Sequence, residues 1–434
     1  MTGSAVRPRV HWVSPLPPAE TDIAHYTARI LPELAEACEL VLWTDAERWD
    51  RALERHAIVR RLDPDTVTSR DFAMGGRGRG ADTLFVHIGN SASFHAGFLR
   101  LLRRVPAVVV LHDLAIQELC HDAIRKGSLP ATFYEAEMAR WHGQRGGELA
   151  RAVREGRVSA FEAAQEIPGF EIVLDRAIGV LVHTPAALEA VAATDAVPVW
   201  QLELPFRPSL RAPSPARSCT GPLRLVQFGY IGHNRRLMEV LEALAPLAGE
   251  IDFRFDIMGK VWDPAAVRAR LRALGLEGCV TLHGFVPEPE LDRHLAEAHL
   301  VFNLRHPTMG EASGSQLRIW NAAAAAAVTD QGWYAGLPAE TVFRIPLEGE
   351  AEALRALLRR LDADRTLCAR VGAAGRAHLE ARHTPALYAR GITAIAREAD
   401  AAARDALIAR TARRLLARTP SADALYRAAL SRHL

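Results

Sequence analysis

Short runs of apolar and β-branched residues recur along this chain, each followed by a longer stretch with helical spacing. The series stops once and then restarts. Its first half contains RVHWVS (9–14), ELVLW (39–43), TLFVHI (83–88), AVVVLH (107–112) and AIGVLVH (177–183). Stretches such as HYTARILPELAEA lie between them, apolar at helical intervals. This alternation predicts an α/β domain whose parallel sheet is covered on both faces. PFRPSLRAPSPARSCTGP then brings five prolines and no periodicity, as an inter-domain linker would. The alternation resumes with LRLVQFG (223–229), FRFDIMG (253–259), CVTLHG (279–284), HLVFNLR (299–305), AAVTD (326–330) and VFRIP (342–346). The reading is two doubly wound domains, 1–205 and 222–385, joined by 206–221 and followed by a helical tail, 386–434. Segment 114–176 holds no strand pattern and reads as a helical insertion.

A chain of 434 residues is long enough for two or three cores. The formal net charge of +2 gives no broad basic field, so no nucleic-acid partner is expected. Lys126 and Lys260 are the only lysines among the basic residues. Cys38, Cys120, Cys219, Cys279 and Cys368 are widely spaced with no CxxC, which suits a reducing cytoplasm better than a disulfide framework or a zinc site. No signal-peptide pattern opens the chain and no apolar run is long enough for a bilayer, so the expected location is cytoplasmic. GGRGRG (75–80) lacks the Lys-Ser/Thr of a phosphate loop and opens no helix; it reads as a solvated loop.

Open parallel sheets bind ligands beyond the carboxyl ends of their strands. That rule selects SPLPPAETDIAHY, GNSASFH and His112-Asp113 in the first half. In the second half it selects GYIGHNRR (229–236), GKVWD (259–263), GFVPEPE (284–290) and PTMGEASGSQLR (307–318). The last of these is the most informative. A helix N-terminus carries unpaired N–H groups and partial positive charge. Ser313, Gly314 and Ser315 keep side chains small there, so a phosphate can reach the amides. Glu311 suits hydroxyls or developing positive charge instead; alternatively Ser313 or Ser315 caps the helix and Glu311 complements its dipole. Alanines 322–327 are expected to continue the helix and pack it closely on the sheet. Gly229 opens a second strand-to-helix turn, where the guanidinium groups of Arg235 and Arg236 suit a diphosphate or simply form a solvated basic helix start. His112 is either a cleft residue or a structural histidine, and His183 reads as structural, with Thr184 capping the helix opened by Pro185.

These residues resemble the GT-B glycosyltransferases, in particular the family-four retaining group that uses nucleotide-sugar donors. FGYIGHNRRLMEVLEAL, LHGFVPEPELDRHLAEAHLVFNLRHPTMGEASGSQLR and VTDQGWYAGLP carry the match in order. PLPPAETDIAHYTARIL, HIGNSASFHAGFL, VVVLHD and VLVHT carry it more loosely. The resemblance implies two Rossmann-like domains facing a cleft, an N-terminal acceptor domain and a C-terminal donor domain. It implies Glu311 and His112 at the donor sugar, Ser313, Gly314 and Ser315 at its phosphates, and Arg235 at the diphosphate. Phe285 and Val286 fall on the segment beside the base. Arg236 and Gly229 lie in the same phosphate turn.

No metal or other cofactor is implied. The acceptor is a glycan, a lipid-linked molecule or a small molecule, with peripheral membrane contact as one option. Three positions depart from the family pattern. Arg318 stands, shifted by one residue, where an acid holds the ribose; the arginine that partners the diphosphate cation is absent, with Tyr230 nearby; Asp22 stands where a glycine is expected. They motivate a second reading, a catalytically impaired or repurposed protein that binds a nucleotide, a sugar or a partner subunit. A nicotinamide-dependent reading fails for want of a G-x-G-x-x-G after a strand.

Overall fold

The computed structural model describes residues 7–72, 82–208, 217–218, 220–399 and 408. The GGRGRG loop, the middle of the proline-rich stretch with Cys219, and most of the tail lie outside the described residues. The chain divides into two compact units. Unit 1 takes the described residues of Met1–Pro205, Met309–Ala312 and Pro385–Leu434; unit 2 takes those of Phe206–Thr308 and Ser313–Thr384.

Unit 1 is built on a parallel sheet of β1 (Arg9–Val13), β2 (Glu39–Thr44), β3 (Ile58–Arg61), β4 (Thr83–Ile88), β5 (Ala107–Leu111), β6 (Ala177–Val182) and β7 (Val199–Gln201). Their order is β3-β2-β1-β4-β5-β6-β7, with the connection reversing direction between β1 and β4. Strands β4, β5 and β6 are buried at every residue, which explains the unbroken apolar runs of β5 and β6 and the mainly apolar β4, where only Thr83 and His87 are polar. The two edge strands escaped the sequence pattern. The edge strand β3 reads IVRR and is largely exposed, and β7 has only three residues. One face is covered by the helix Asp22–Ala37 through Tyr26, Ile30, Leu31 and Leu34, and by the helix over 385–399 through Tyr388, Ile392 and Ile395. Insertion 114–176 is helical, with Gln117–Arg125, Ala131–Arg154 and Ala160–Glu166. Ser159 and Glu162 start its last helix with a reciprocal capping box.

Unit 2 repeats the plan with β8 (Leu223–Phe228), β9 (Phe253–Met258), β10 (Val280–Gly284), β11 (Leu300–Phe302), β12 (Ala325–Thr329) and β13 (Phe343–Ile345). The order is β10-β9-β8-β11-β12-β13, all parallel, and the reversal falls between β8 and β11.

The alanine run corrects the sequence reading. The helix Gly314–Asn321 ends before it, Ala323 has a φ of 50°, and Ala325–Ala327 begin the buried strand β12. Tertiary packing overrides helix propensity here. The helix Thr366–Arg382 presses its glycines onto this corner. A Cβ on Gly372 would come within 1.9 Å of the Ala323 carbonyl oxygen, and one on Gly375 within 2.1 Å of Trp320. Trp320 is itself fully buried, and its indole N–H donates to the Thr341 carbonyl at 3.0 Å. Small residues let backbones meet there.

Gly375→Ala is therefore expected to lower stability by ~1–3 kcal/mol through overpacking. Gly278→Ala, with open space around the new methyl, serves as the control. Thermal unfolding of both variants checks this; equal melting temperatures would mean that Trp320 moves aside freely.

Candidate functional site

In unit 2, three neighbouring strands end in glycines with positive φ: Gly229 (99°) after β8, Gly259 (132°) after β9 and Gly284 (71°) at the end of β10. The turns interlock through the backbone. Gly229 N–H donates to Met258 at 2.9 Å, and Gly259 N–H donates to Gly284 at 2.6 Å. A Cβ on Gly259 would come within 2.0 Å of the Gly229 carbonyl oxygen, so only glycine permits this approach. Ile231 and Trp262 continue the lock, with Trp262 N–H donating to Ile231 at 2.9 Å. Each turn then sends a large side chain into solvent. Tyr230 is 64% exposed, Trp262 56% and Phe285 87%. Lys260 is exposed in the same row, while Val286 is half-buried. Sequence reasoning named Phe285 and passed over Lys260 and Trp262. Their signal was a strand-end glycine followed by a cation or an aromatic residue.

The arginines of the first turn have different surroundings. Arg235 closes the short 3-10 turn His233–Arg235 and is buried, with Nη2 donating to the Phe228 carbonyl at 3.3 Å. Its own carbonyl accepts from the Gln227 amide at 2.8 Å. Arg236 takes a left-handed conformation and precedes the helix Leu237–Leu244. Its guanidinium lies 2.5 Å from Glu350 and 2.8 Å from Glu239, so it is engaged within the fold.

At the reversal of the sheet, β11 leads to the helix Gly314–Asn321. Ser313 is its cap, accepting from Gln316 N–H at 3.1 Å and from the Asn303 amide at 3.3 Å. The Ser313 side chain is buried and spoken for, whereas Gly314 and Ser315 are half-buried. Their backbone N–H groups belong to the first helical turn and have no acceptor among the described residues. Arg318, one turn on, bonds Asp292 at 2.9 Å and Glu288 at 2.9 Å and ties two helices together.

In unit 1, the segment Met309–Ala312 carries Glu311. Its carboxylate accepts from Met309 N–H at 2.6 Å. The segment is fastened by Ala115 N–H donating to Met309 at 3.0 Å and by the Thr184 hydroxyl donating to Gly310 at 3.1 Å. The same hydroxyl caps the helix that Pro185 opens. Asp22 is exposed in the first turn of its helix, where a carboxylate complements the dipole.

His112 follows β5 and is half-buried. Its Nε2 lies 2.8 Å from Nδ1 of His87, with the ring centroids 5.1 Å apart and the ring planes 28° apart. His183 lies 5.1 Å from His112 and donates from Nδ1 to the Leu202 carbonyl at 2.9 Å. His95 donates from Nδ1 to the His87 carbonyl at 3.1 Å. Burial holds the pKa of His87 and His112 well below the usual imidazole range, and lowers those of His95 and His183 to about 4. Among the described residues, no three His, Cys, Asp or Glu side chains are arranged to hold a metal ion. No described helix is long and apolar enough to cross a membrane.

Comparison with known proteins places this architecture. Residues 235–394 match a family model described as glycosyl transferase-like. No curated protein matches the sequence. Among solved structures, HepE from Anabaena in complex with UDP and glucose superposes with a TM-score of 0.59 at 14% identity, over 88% of this chain and 98% of that one. Sucrose-phosphate synthase from Thermosynechococcus elongatus gives a TM-score of 0.62 at 14% identity, over 91% and 100%. A glycosyltransferase from Rickettsia africae gives 0.52 at 10% identity, over 90% and 98%. The chain has the GT-B fold. In GT-B terms, Gly229, Arg235, Gly314 and Phe285 all stand at the carboxyl ends of the unit 2 strands. His112 stands at the carboxyl end of the unit 1 sheet.

The four histidines set a pH dependence. Their folded pKa values lie below the unfolded value of ~6.5, so the unfolded chain binds more protons between ~6.5 and about 4, and stability falls as pH falls through that window. His95 and His183 are each expected to remove roughly 2–3 kcal/mol by pH ~4.5. Urea unfolding at pH ~7 and ~4.5 measures the loss; equal midpoints would show that these rings reach water in the folded state.

Proposed function

We propose that this protein is a retaining glycosyltransferase of the family-four kind. It moves a sugar from a nucleotide-diphosphate donor to an acceptor hydroxyl in the cytoplasm. The bond from the anomeric carbon to the diphosphate oxygen breaks, a bond to the acceptor oxygen forms with configuration kept, and the hydroxyl proton leaves with the diphosphate or to solvent. The observation that carries this reading is the pair of unanswered N–H groups at Gly314 and Ser315, on a capped helix at the reversal of the sheet. Such a helix start takes a phosphate without a metal. Arg235 adds charge at the neighbouring turn, and the leaving diphosphate is stabilised as it departs. Phe285 offers an exposed face to a base. Glu311 and His112 are assigned to the sugar hydroxyls.

A second reading has its own support. Arg318, engaged by Glu288 and Asp292, stands near the place where the resemblance leads one to expect a ribose-binding acid. A protein that binds a nucleotide and has lost transfer would tolerate that change.

HepE is recorded with UDP and with UDP-glucose, so UDP is the first nucleotide to test, beside GDP, TDP and ADP. A true ligand at ~100 times its dissociation constant adds ~2.7 kcal/mol to stability, visible as a thermal shift. Gly314→Val places a branched side chain where the phosphate approaches and is expected to abolish that shift while the protein still folds. Arg235→Ala is expected to weaken diphosphate binding by ~1.5–3 kcal/mol and to leave nucleoside binding nearly unchanged. Glu311→Gln is expected to lower turnover more than donor affinity, because a carboxylate beside the anomeric carbon gains as positive charge develops. Calorimetry and product release separate the two effects. Nucleotide binding through Gly314 with no turnover on any donor would favour the second reading.

A further inference from the structure

The histidines of unit 1 carry more information than their burial. Each ring is neutral, so each holds one proton on one of two nitrogens, and its partners decide which. A carbonyl oxygen only accepts, so His95 and His183, bonded through Nδ1 to the carbonyls of His87 and Leu202, carry their protons on Nδ1. Nε2 of His183 is buried without a hydrogen-bond partner, as a bare lone pair can be.

The His87–His112 pair has two arrangements. In one, His112 donates from Nε2 to Nδ1 of His87, which forces the proton of His87 onto Nε2. That nitrogen is buried and has no hydrogen-bond partner among the described residues. The neighbouring side chains, Trp12 at 4.4 Å and Tyr26 at 5.6 Å between ring centroids, place no hydrogen-bond acceptor on it, and a π face would be a second-order acceptor. In the other, His87 donates from Nδ1 and buries only a lone pair. Buried orphan N–H groups are rarer than under-satisfied acceptors. The second arrangement is therefore favoured, and it decides the state of the half-buried His112.

We propose that His87 is a positioning residue: by donating from Nδ1 to Nε2 of His112, it makes His112 a neutral Nδ1–H donor to a ligand oxygen instead of a proton acceptor. The pKa directions agree, since burial and the mutual proximity of His87, His183 and His95 disfavour an imidazolium at His112. The remaining rings packed here, Tyr26 at 5.2 Å from His112 and Tyr388 at 6.0 Å from His183, bring no charge. No described residue is hydrogen-bonded to Nδ1 of His112. The ligand class, an oxygen of the donor or acceptor sugar, rests on the glycosyltransferase reading; the proton position does not.

The test is a long-range proton–nitrogen correlation spectrum of the full chain with 15N-labelled histidine at neutral pH, assigned with His112→Asn and His87→Phe. All four rings are expected in the Nδ1–H tautomer, and in His87→Phe the Nε2 resonance of His112 is expected to shift as that nitrogen loses its hydrogen bond. A wild-type spectrum with His112 as Nε2–H or as imidazolium would overturn the proposal, whether or not the protein transfers sugar. If it does, both His112→Asn and His112→Leu are expected to lower kcat, and His112→Asn, whose amide N–H replaces the Nδ1 donor, is expected to lose clearly less than His112→Leu. A loss of ~10²-fold or more in both variants would instead mark a general base and overturn the donor role.

Discussion

Gly259 meets the Gly229 carbonyl so closely that no side chain fits between them. Much of the candidate site in unit 2 follows from that contact. Strands β8, β9 and β10 are parallel, so their ends arrive together at one edge of the sheet. Without side chains at the crossing, the three turns lock through backbone hydrogen bonds instead of splaying apart. The lock leaves the next residues nowhere to go but outward. Tyr230, Trp262 and Phe285 are exposed because the turns beneath them consist of backbone against backbone. An exposed aromatic row is costly for a soluble surface unless something covers it at times.

The two units treat charge at their sheet ends in opposite ways. Unit 2 brings arginines but commits most of them. Arg236 belongs to Glu350 and Glu239, and Arg318 to Glu288 and Asp292. Backbone N–H groups at Gly314 and Ser315 are then among the groups left for an anion, and a fixed dipole costs no rearrangement when the charge arrives. Unit 1 gathers four histidines and keeps them uncharged through burial. A neutral cluster suits a ligand face that carries hydroxyls better than one that carries phosphate.

Much of this was legible in the sequence, for a physical reason. Strands buried on both faces are predominantly apolar, so β4, β5 and β6 announced themselves, and the turns after them named the loops. Edge strands obey no such rule, and β3, with two arginines in four residues, gave no signal. The alanine run misled because propensity speaks for an isolated helix, while Gly372 and Gly375 bring a second backbone onto that corner. The site was harder. Spacing indicated that Arg235, Arg236 and Arg318 lie near strand ends or helix starts. It could not say which of them would find a carboxylate, because Glu350, Glu288 and Asp292 are distant in sequence.

The histidines show where a sequence motif stops being a chemical statement. "HD" after a strand suggests a residue waiting for substrate, with its acid–base role undetermined. That role depends on His87, which is 25 residues away and joined to His112 across two paired strands. Register sets the pairing of β4 with β5, pairing brings the rings to 2.8 Å, and the lack of a partner for the far nitrogen of His87 chooses the proton position. Each link is weak alone: a lone pair tolerates burial, and a ring can flip. Together they leave one arrangement in which every buried N–H has an acceptor. A residue that looks like a candidate base is then better suited to hold a substrate oxygen still than to take its proton.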